Sequence, residues 1–183
     1  MIFPLFRRNA RQNTISTLYG TIVAQARLPC FYREYAVPDT INGRFELLVM
    51  HLALVLDRLA EEPEVRDLGQ SLFDHFCRDM DDNLRELGIG DLAVPKQMQR
   101  MGEAFYGRAQ AYRKALGATD NEALSEAIKR NIYDGGATGR TTRLAAYMRE
   151  AVRDLEGQSA SAFLSGKILL PNPKVTVLVE DQA

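Results

Sequence analysis

The sequence is poor in the side chains that build covalent or metal chemistry. Its 183 residues include two cysteines, two histidines and no Cys-x-x-Cys pair. Two cysteines in a chain of this length favour reduced thiols, in a cytosol or a matrix, over a disulfide framework. No serine, cysteine or lysine has a base beside it at a spacing typical of nucleophilic catalysis. The sequence therefore predicts neither a disulfide-stabilised secreted protein nor an enzyme with a recognisable catalytic group.

Long apolar runs are also missing. A membrane-spanning helix needs about 18 or more consecutive apolar residues, and the longest near-apolar run, residues 47–56, is interrupted by His51. Hydrophobic residues make up 46% of the chain and charged residues 26%, as in ordinary soluble globular domains. There is no internal repeat and no linker long enough to divide the chain, so we expect one domain.

Acidic residues are absent from the first 33 residues, which contain five arginines. Within this basic region we treat residues 1–9 (MIFPLFRRN) as an N-terminal tip, and two interpretations stay open. The tip is either a disordered end or a basic, apolar segment that contacts an anionic membrane surface. The composition of the region also resembles that of a mitochondrial transit peptide.

The spacing of apolar residues predicts an all-α fold. Residues recurring at steps of three and four define a series of amphipathic helices. The predicted helices cover about residues 9–27, 40–60, 63–88, 95–117, 119–133, 141–155 and 159–165. The second is apolar on most sides, which predicts a central position in the bundle. The fold expected is a single-domain bundle of six to seven helices (residues 10–166), followed by an extended C-terminal tail (167–183).

The third predicted helix, residues 63–88, is the first candidate for a functional site. One face is an apolar stripe, and the opposite face is mostly acidic. The acidic residues are Asp67, Asp74, Asp79, Asp81, Asp82 and Glu86. His75 and Cys77 lie among them. Such a face indicates either contacts with a positively charged partner or simple solvation of a helix surface.

One alternative is an all-α enzyme or binding protein that uses this acidic helix. The run Asp81-Asp82-x-x-Arg85 resembles the DDxxD motif of prenyl-diphosphate enzymes, in which carboxylates bridge Mg²⁺ to a diphosphate. Here the fifth position is arginine and no second aspartate-rich motif exists. A metal at His75 is a related alternative, but no second ligand lies at a spacing that shares its helix face. We therefore expect no cofactor and no metal.

Nucleic acid is not an expected partner. Basic residues on the outer face of the fourth predicted helix, such as Arg100 and Arg113, give it a positive surface. The net charge of the chain is nevertheless −1, and few aromatic residues alternate with those basic ones. Both features are atypical of nucleic-acid-binding domains.

Several ordered blocks of sequence resemble the ubiquinol–cytochrome c chaperone family, the assembly factors of respiratory complex III. The blocks are residues 31–46 (FYREYAVPDTINGRFE), 47–51, 72–76, 79–81, 94–96, 104–108 and 131–133. The resemblance covers about residues 15–155. It implies an assembly chaperone, not an enzyme, which binds newly made cytochrome b and works with a small partner protein.

The resemblance also implies a location. No long presequence precedes the family region, so the chain resembles a bacterial-type member. Such a member is expected in the cytoplasm, peripheral at the inner face of the inner membrane; a eukaryotic member would lie on the matrix side. Mitochondrial relatives differ in this respect, so it stays open whether this chain binds the small partner protein and contacts the ribosome as they do.

A client such as cytochrome b presents apolar helices and positively charged cytoplasmic loops. We expect the acidic helix to bind the loops, and exposed aromatic residues to bind apolar segments. The candidate partner-binding residues are Phe31, Tyr32, Tyr35, Asp74, Arg78, Asp79, Asp81, Asp82, Phe105, Tyr106 and Arg108. For each the alternative is a structural role, and Phe45, His51 and Leu72 are expected in the core.

Overall fold

The computed structural model describes residues 3–136 and 140–174, with side chains from residue 11 onwards within these ranges. The described residues form eight helices and no strand. They are α1 (Phe3–Ala26), α2 (Pro29–Arg33), α3 (Ile41–Glu61), α4 (Arg66–Glu86), α5 (Val94–Leu116), α6 (Glu122–Ile132), α7 (Arg140–Glu156) and α8 (Ala160–Leu164). The predicted all-α bundle is confirmed, and the additional helix is the short α2.

Helix α3 is the centre of the bundle, as predicted from its apolar sequence. It packs against α1, α4, α5, α6 and α7. Twelve of its 21 residues are buried. Each fully buried leucine, valine or methionine contributes roughly 1.5–3 kcal/mol relative to exposure. Helix α3 therefore supplies a shared apolar surface to five helices, which also pack on one another, α1 on α4 and α6 on α5 and α7.

Helix α4 runs antiparallel to α3 and parallel to α1. The rings of Phe45 on α3 and Phe76 on α4 stack with their centroids 6.5 Å apart. At the other end of α3, a Cβ on Gly69 would lie only 3.7 Å from the Cβ of Leu59. The start of α4 therefore lies close to the end of α3, at a distance where a methyl group at position 69 would make ordinary van der Waals contact.

The first helix includes six more residues at its N-terminal end than the predicted helix, which started at about residue 9. Helix α1 is described from Phe3 onwards, and Pro4 is tolerated there because the first turn of a helix does not use its N–H. Arg11 donates from Nη2 to the Asp67 carbonyl (2.7 Å) and to Ser71 Oγ (3.1 Å). At 1.5 Å per residue, residues 3–10 extend roughly 12 Å beyond this contact with the start of α4.

The chain after α8 returns across the bundle without regular structure over residues 167–172. Gln25 Nε2 donates to the Pro171 carbonyl (2.7 Å), and the Tyr35 hydroxyl donates to the Pro173 carbonyl (2.7 Å). Within this segment, the side chain of Ile168 is buried. The first part of the predicted C-terminal tail is therefore packed on α1 and on the segment after α2. Residues 175–183 lie outside the described residues.

Gly43 is required where α3 begins. The Thr40 Oγ1 accepts a hydrogen bond from the Gly43 N–H (3.1 Å) and caps the helix. A Cβ on Gly43 would lie 2.0 Å from the carbonyl oxygen of Pro38, far inside van der Waals contact. The preceding chain can turn into α3 this tightly only because position 43 has no side chain.

We predict that Gly43→Ala lowers the free energy of unfolding by about 3 kcal/mol, because the backbone at Pro38 must move. The matched control is Gly20→Ala on the exposed side of α1, where an added Cβ meets no atom within 4 Å. There alanine should raise stability by about 0.5–1 kcal/mol, since glycine is a poor helix former. Urea unfolding followed by circular dichroism measures both; equal responses would contradict this account of Gly43.

Candidate partner-binding surface

The acidic residues of α4 do not form a single free surface. Asp79 is half-buried and its Oδ2 accepts a hydrogen bond from the Tyr19 hydroxyl of α1 (2.6 Å). The ring of His75, one turn earlier, lies edge-on to Tyr19 with centroids 4.9 Å apart. Burial, and then the hydrogen bond to Asp79, raise the pKa of Tyr19. Asp79 and His75 therefore join α4 to α1.

The outward side of α4 retains a separate group of carboxylates. Asp74 and Asp82 are exposed, and neither forms an ion pair with another described side chain. Asp74 accepts one hydrogen bond from Gln70 Nε2 (2.7 Å). Asp81 accepts from Arg85 Nε (2.6 Å). We call Asp74, Asp81 and Asp82 the outer acidic surface.

Two arginines reduce the negative charge of this surface. Arg78 is exposed beside it. Arg85 links Asp81 to Asp91 in the loop that follows α4. These bridges are exposed to solvent, so they contribute little to the stability of the fold. The outer acidic surface is therefore a mixed but predominantly negative region.

The prediction of an exposed aromatic surface at residues 31–35 is wrong. Phe31 and Tyr35 are fully buried. The Phe31 ring packs against those of Tyr35, His51 and Tyr147 at centroid distances of 5.3, 5.3 and 5.0 Å. Helix α2 turns the two rings onto the centre of the bundle, because burying large aromatic side chains removes much apolar area from water. Only Tyr32 keeps partial exposure, and its hydroxyl donates to the Ala26 carbonyl (3.1 Å).

His51 is a core residue, as expected. Its Nδ1 lies 2.7 Å from the Leu47 carbonyl; because a carbonyl only accepts, Nδ1 carries the proton. Its Nε2 then accepts a hydrogen bond from the Tyr147 hydroxyl (2.9 Å), which itself accepts from Gln25 Nε2 (2.8 Å). Complete burial lowers the pKa of His51 to about 4. This neutral, satisfied imidazole joins α3 to α7 and α1.

Arg108, predicted to contact a partner, has an internal role. Its Nε and Nη2 donate to the two carboxylate oxygens of Glu46, each at 2.5 Å. The Glu46 side chain is fully buried, and the Arg108 side chain is 24% exposed. Burial raises the pKa of Glu46, and the arginine opposes that rise. The bidentate pair holds α5 against the central helix.

Phe105 and Tyr106 lie at different depths. Phe105 is buried, whereas Tyr106 is 62% exposed. The ring of Phe73 on α4 contacts both, with centroid distances of 5.0 Å to Phe105 and 5.5 Å to Tyr106. Of the predicted aromatic contacts, Tyr106 is thus the most exposed, and Tyr32 is partly exposed.

The alternative based on a metal or a Mg²⁺-diphosphate gains no support from the described side chains. No group of three or more His, Cys, Asp or Glu side chains converges among them. The carboxylates of Asp79 and Asp81 are engaged separately, by Tyr19 and by Arg85. Burial raises the pKa of the Cys77 thiol, which disfavours a thiolate ligand. Part of the glycine-rich loop after α6, residues 137–139, lies outside the described residues.

In the part of the chain that the structure describes, every helix is too short or too polar to cross a membrane.

Comparisons with known proteins agree on one family. The family model described as ubiquinol-cytochrome C chaperone matches residues 33–170. The crystal structure of the Cbp3 homolog from Brucella abortus is 40% identical, covers 95% of this chain and 98% of that chain, and superimposes with a TM-score of 0.85.

Animal proteins are more distant. The ubiquinol-cytochrome c reductase complex assembly factor 1 of Mus musculus is 21% identical over 150 residues, which are 80% of this chain and 50% of the mouse protein. The protein of that name from Xenopus laevis is 22% identical over 142 residues, 76% of this chain and 70% of the frog protein. The chain thus spans half the length of its mouse relative.

We predict that Arg108→Gln lowers the free energy of unfolding by about 3–5 kcal/mol, because the Glu46 carboxylate is left buried without its cation. Arg113→Gln is the control. That arginine also pairs with an acid of α3, Asp57, but its side chain is 66% exposed, so its loss should cost about 1 kcal/mol or less. Denaturant unfolding at neutral pH measures the free energy of unfolding of both variants. Similar losses of that free energy would contradict a larger contribution from the buried Arg108–Glu46 pair.

Proposed function

Because the chain belongs to the ubiquinol–cytochrome c chaperone family, we propose that it is a non-enzymatic assembly factor of the ubiquinol–cytochrome c reductase complex. Its proposed client is newly made cytochrome b. The observation that carries the proposal is the family match over residues 33–170, from before α3 to beyond α8. The names of the mouse and frog relatives, as assembly factors of that complex, support it.

The outer acidic surface suits such a client. Membrane proteins concentrate Lys and Arg in their short cytoplasmic loops. Opposite charges steer the encounter of two partners and fix their orientation. Asp74 and Asp82 are the best placed for this role, because they are exposed and free of ion pairs with other described residues. Asp79 is less well placed, since it is half-buried and its Oδ2 already accepts a hydrogen bond from Tyr19.

The proposed location is the cytoplasmic face of the inner membrane, in a bacterial-type member of the family. The 40% identity to the Brucella abortus protein over nearly the whole of both chains supports the bacterial type. The basic, apolar N-terminal sequence of α1 includes Arg7 and Arg8. Such a helical end suits peripheral contact with anionic lipid. A small assembly partner remains part of the proposal.

We predict that the double charge reversal Asp74→Lys with Asp82→Lys reduces the cytochrome b recovered with the tagged protein by about tenfold, as expected for replacing attraction by repulsion at a polar rim. Purification in mild detergent from the cells of origin, with mass spectrometry for cytochrome b and absorbance for haem b, gives the amount.

The control reverses two exposed acids on other helices, Glu126→Lys on α6 and Asp154→Lys on α7, with the same change in net charge. It should recover cytochrome b normally. Equal recovery by both folded double variants would contradict a role for the outer acidic surface. A wild-type preparation that recovers no cytochrome b would contradict the proposed client itself.

A further inference from the structure

A groove crosses the surface between α3, α4 and α5, beside the outer acidic surface. Its volume is about 380 Å³, within the range of about 300–1,000 Å³ typical of ligand sites. Four small residues form part of the lining: Ala53, Ala60, Gly69 and Ala109. Larger side chains at these positions would fill the space between the three helices. Here the space stays open to solvent.

One wall of the groove is aromatic and firmly supported. Tyr106 and Phe73 line it, with Leu56 across from α3. Phe73 packs on the buried Phe105, and Phe105 packs on Phe76 with centroids 5.8 Å apart. The rings therefore continue from the core to the surface. A tyrosine that is exposed yet supported from below is the kind of side chain that anchors protein interfaces, because little side-chain entropy is lost on binding.

The polar residues around the groove limit what it accepts. On the α5 side Arg113 is already neutralised by Asp57. On the α4 side Gln70 lines the groove and donates to Asp74, which follows Phe73 directly and belongs to the outer acidic surface. Arg66 and Asp67, at the start of α4, add one charge of each sign to the lining near Ala60. The groove thus has an aromatic wall and a lining of mixed charge, and along α4 from Phe73 it continues into the negative charge of Asp74. A ligand complementary to both is apolar along its length and positively charged at one end.

We infer that this groove binds one apolar helical segment of the client, with a Lys- or Arg-rich end lying against Asp74. A membrane helix with its cytoplasmic basic flank has this chemistry, and an amphipathic or apolar helix in a groove is a common recognition mode. The inference rests on the proposed function, and it names the surface that covers the client's apolar segment. Tyr106 and Phe73 form the central contact.

Ala60→Phe tests the groove directly. Ala60 is exposed at its rim, near the end of α3, so a phenyl ring there blocks the groove without entering the core. Ala123→Phe, at an exposed position of α6, is the matched control. Both variants should unfold at the wild-type temperature. Recovery of cytochrome b should fall about tenfold with Ala60→Phe, as for an interface anchor, and should be unchanged with Ala123→Phe.

A photocrosslinker identifies the occupant. Benzoylphenylalanine in place of Tyr106 should give an adduct with cytochrome b, whereas the same group in place of Ala123 should not. Suppose that the wild type recovers cytochrome b, that Ala60→Phe recovers as much of it, and that the crosslinker at position 106 gives no adduct with it. The groove inference is then overturned and the proposed function stands. An adduct with a second copy of the chain would also overturn it. If the wild type recovers no cytochrome b, both fail.

Discussion

The fold depends on the burial of the middle of α3, where residues 46–55 are all buried, and on two polar side chains within that stretch. A carboxylate and an imidazole taken out of water destabilise the protein unless partners satisfy them. Arg108 of α5 satisfies Glu46, and Tyr147 of α7 satisfies His51. These requirements specify which outer helix lies on which side of α3, whereas apolar burial alone would tolerate many arrangements. The remaining outer helices then complete the enclosure.

These contacts within the chain determine which side chains remain available to bind a partner. Side chains that seemed available in the sequence are used within the chain: Phe31 and Tyr35 in the core, Arg108 by Glu46, and Asp79 by Tyr19. What is left on one side of the molecule is a groove with an aromatic wall that includes Tyr106, and a negative helix surface beside it. The proposed role would use both, because the proposed client is apolar within the membrane and basic at its cytoplasmic edge.

Apart from the start of α1, the ends of the long helices could be predicted within a few residues, because their apolar period is local and strong. The central place of α3 followed from its apolar character on most sides. The core positions of His51 and Leu72 were correctly expected, whereas Phe45 packs against the core and is only partly buried. The failures share one cause. The burial of Phe31 depends on Tyr147, and the use of Arg108 depends on Glu46, 62 positions away. Neither pairing leaves a local pattern. The groove was equally invisible, since it arises from small residues on three separate helices.

The most direct test is the amount of assembled ubiquinol–cytochrome c reductase in cells that lack this chain, compared with cells in which the gene is restored. Native gel electrophoresis and haem b absorbance of the membranes measure it. The account predicts that the complex and its cytochrome b are strongly depleted while other respiratory complexes keep their normal amount, and that restoration reverses the loss. A normal amount of complete, haem-containing complex in the absence of the chain would contradict it.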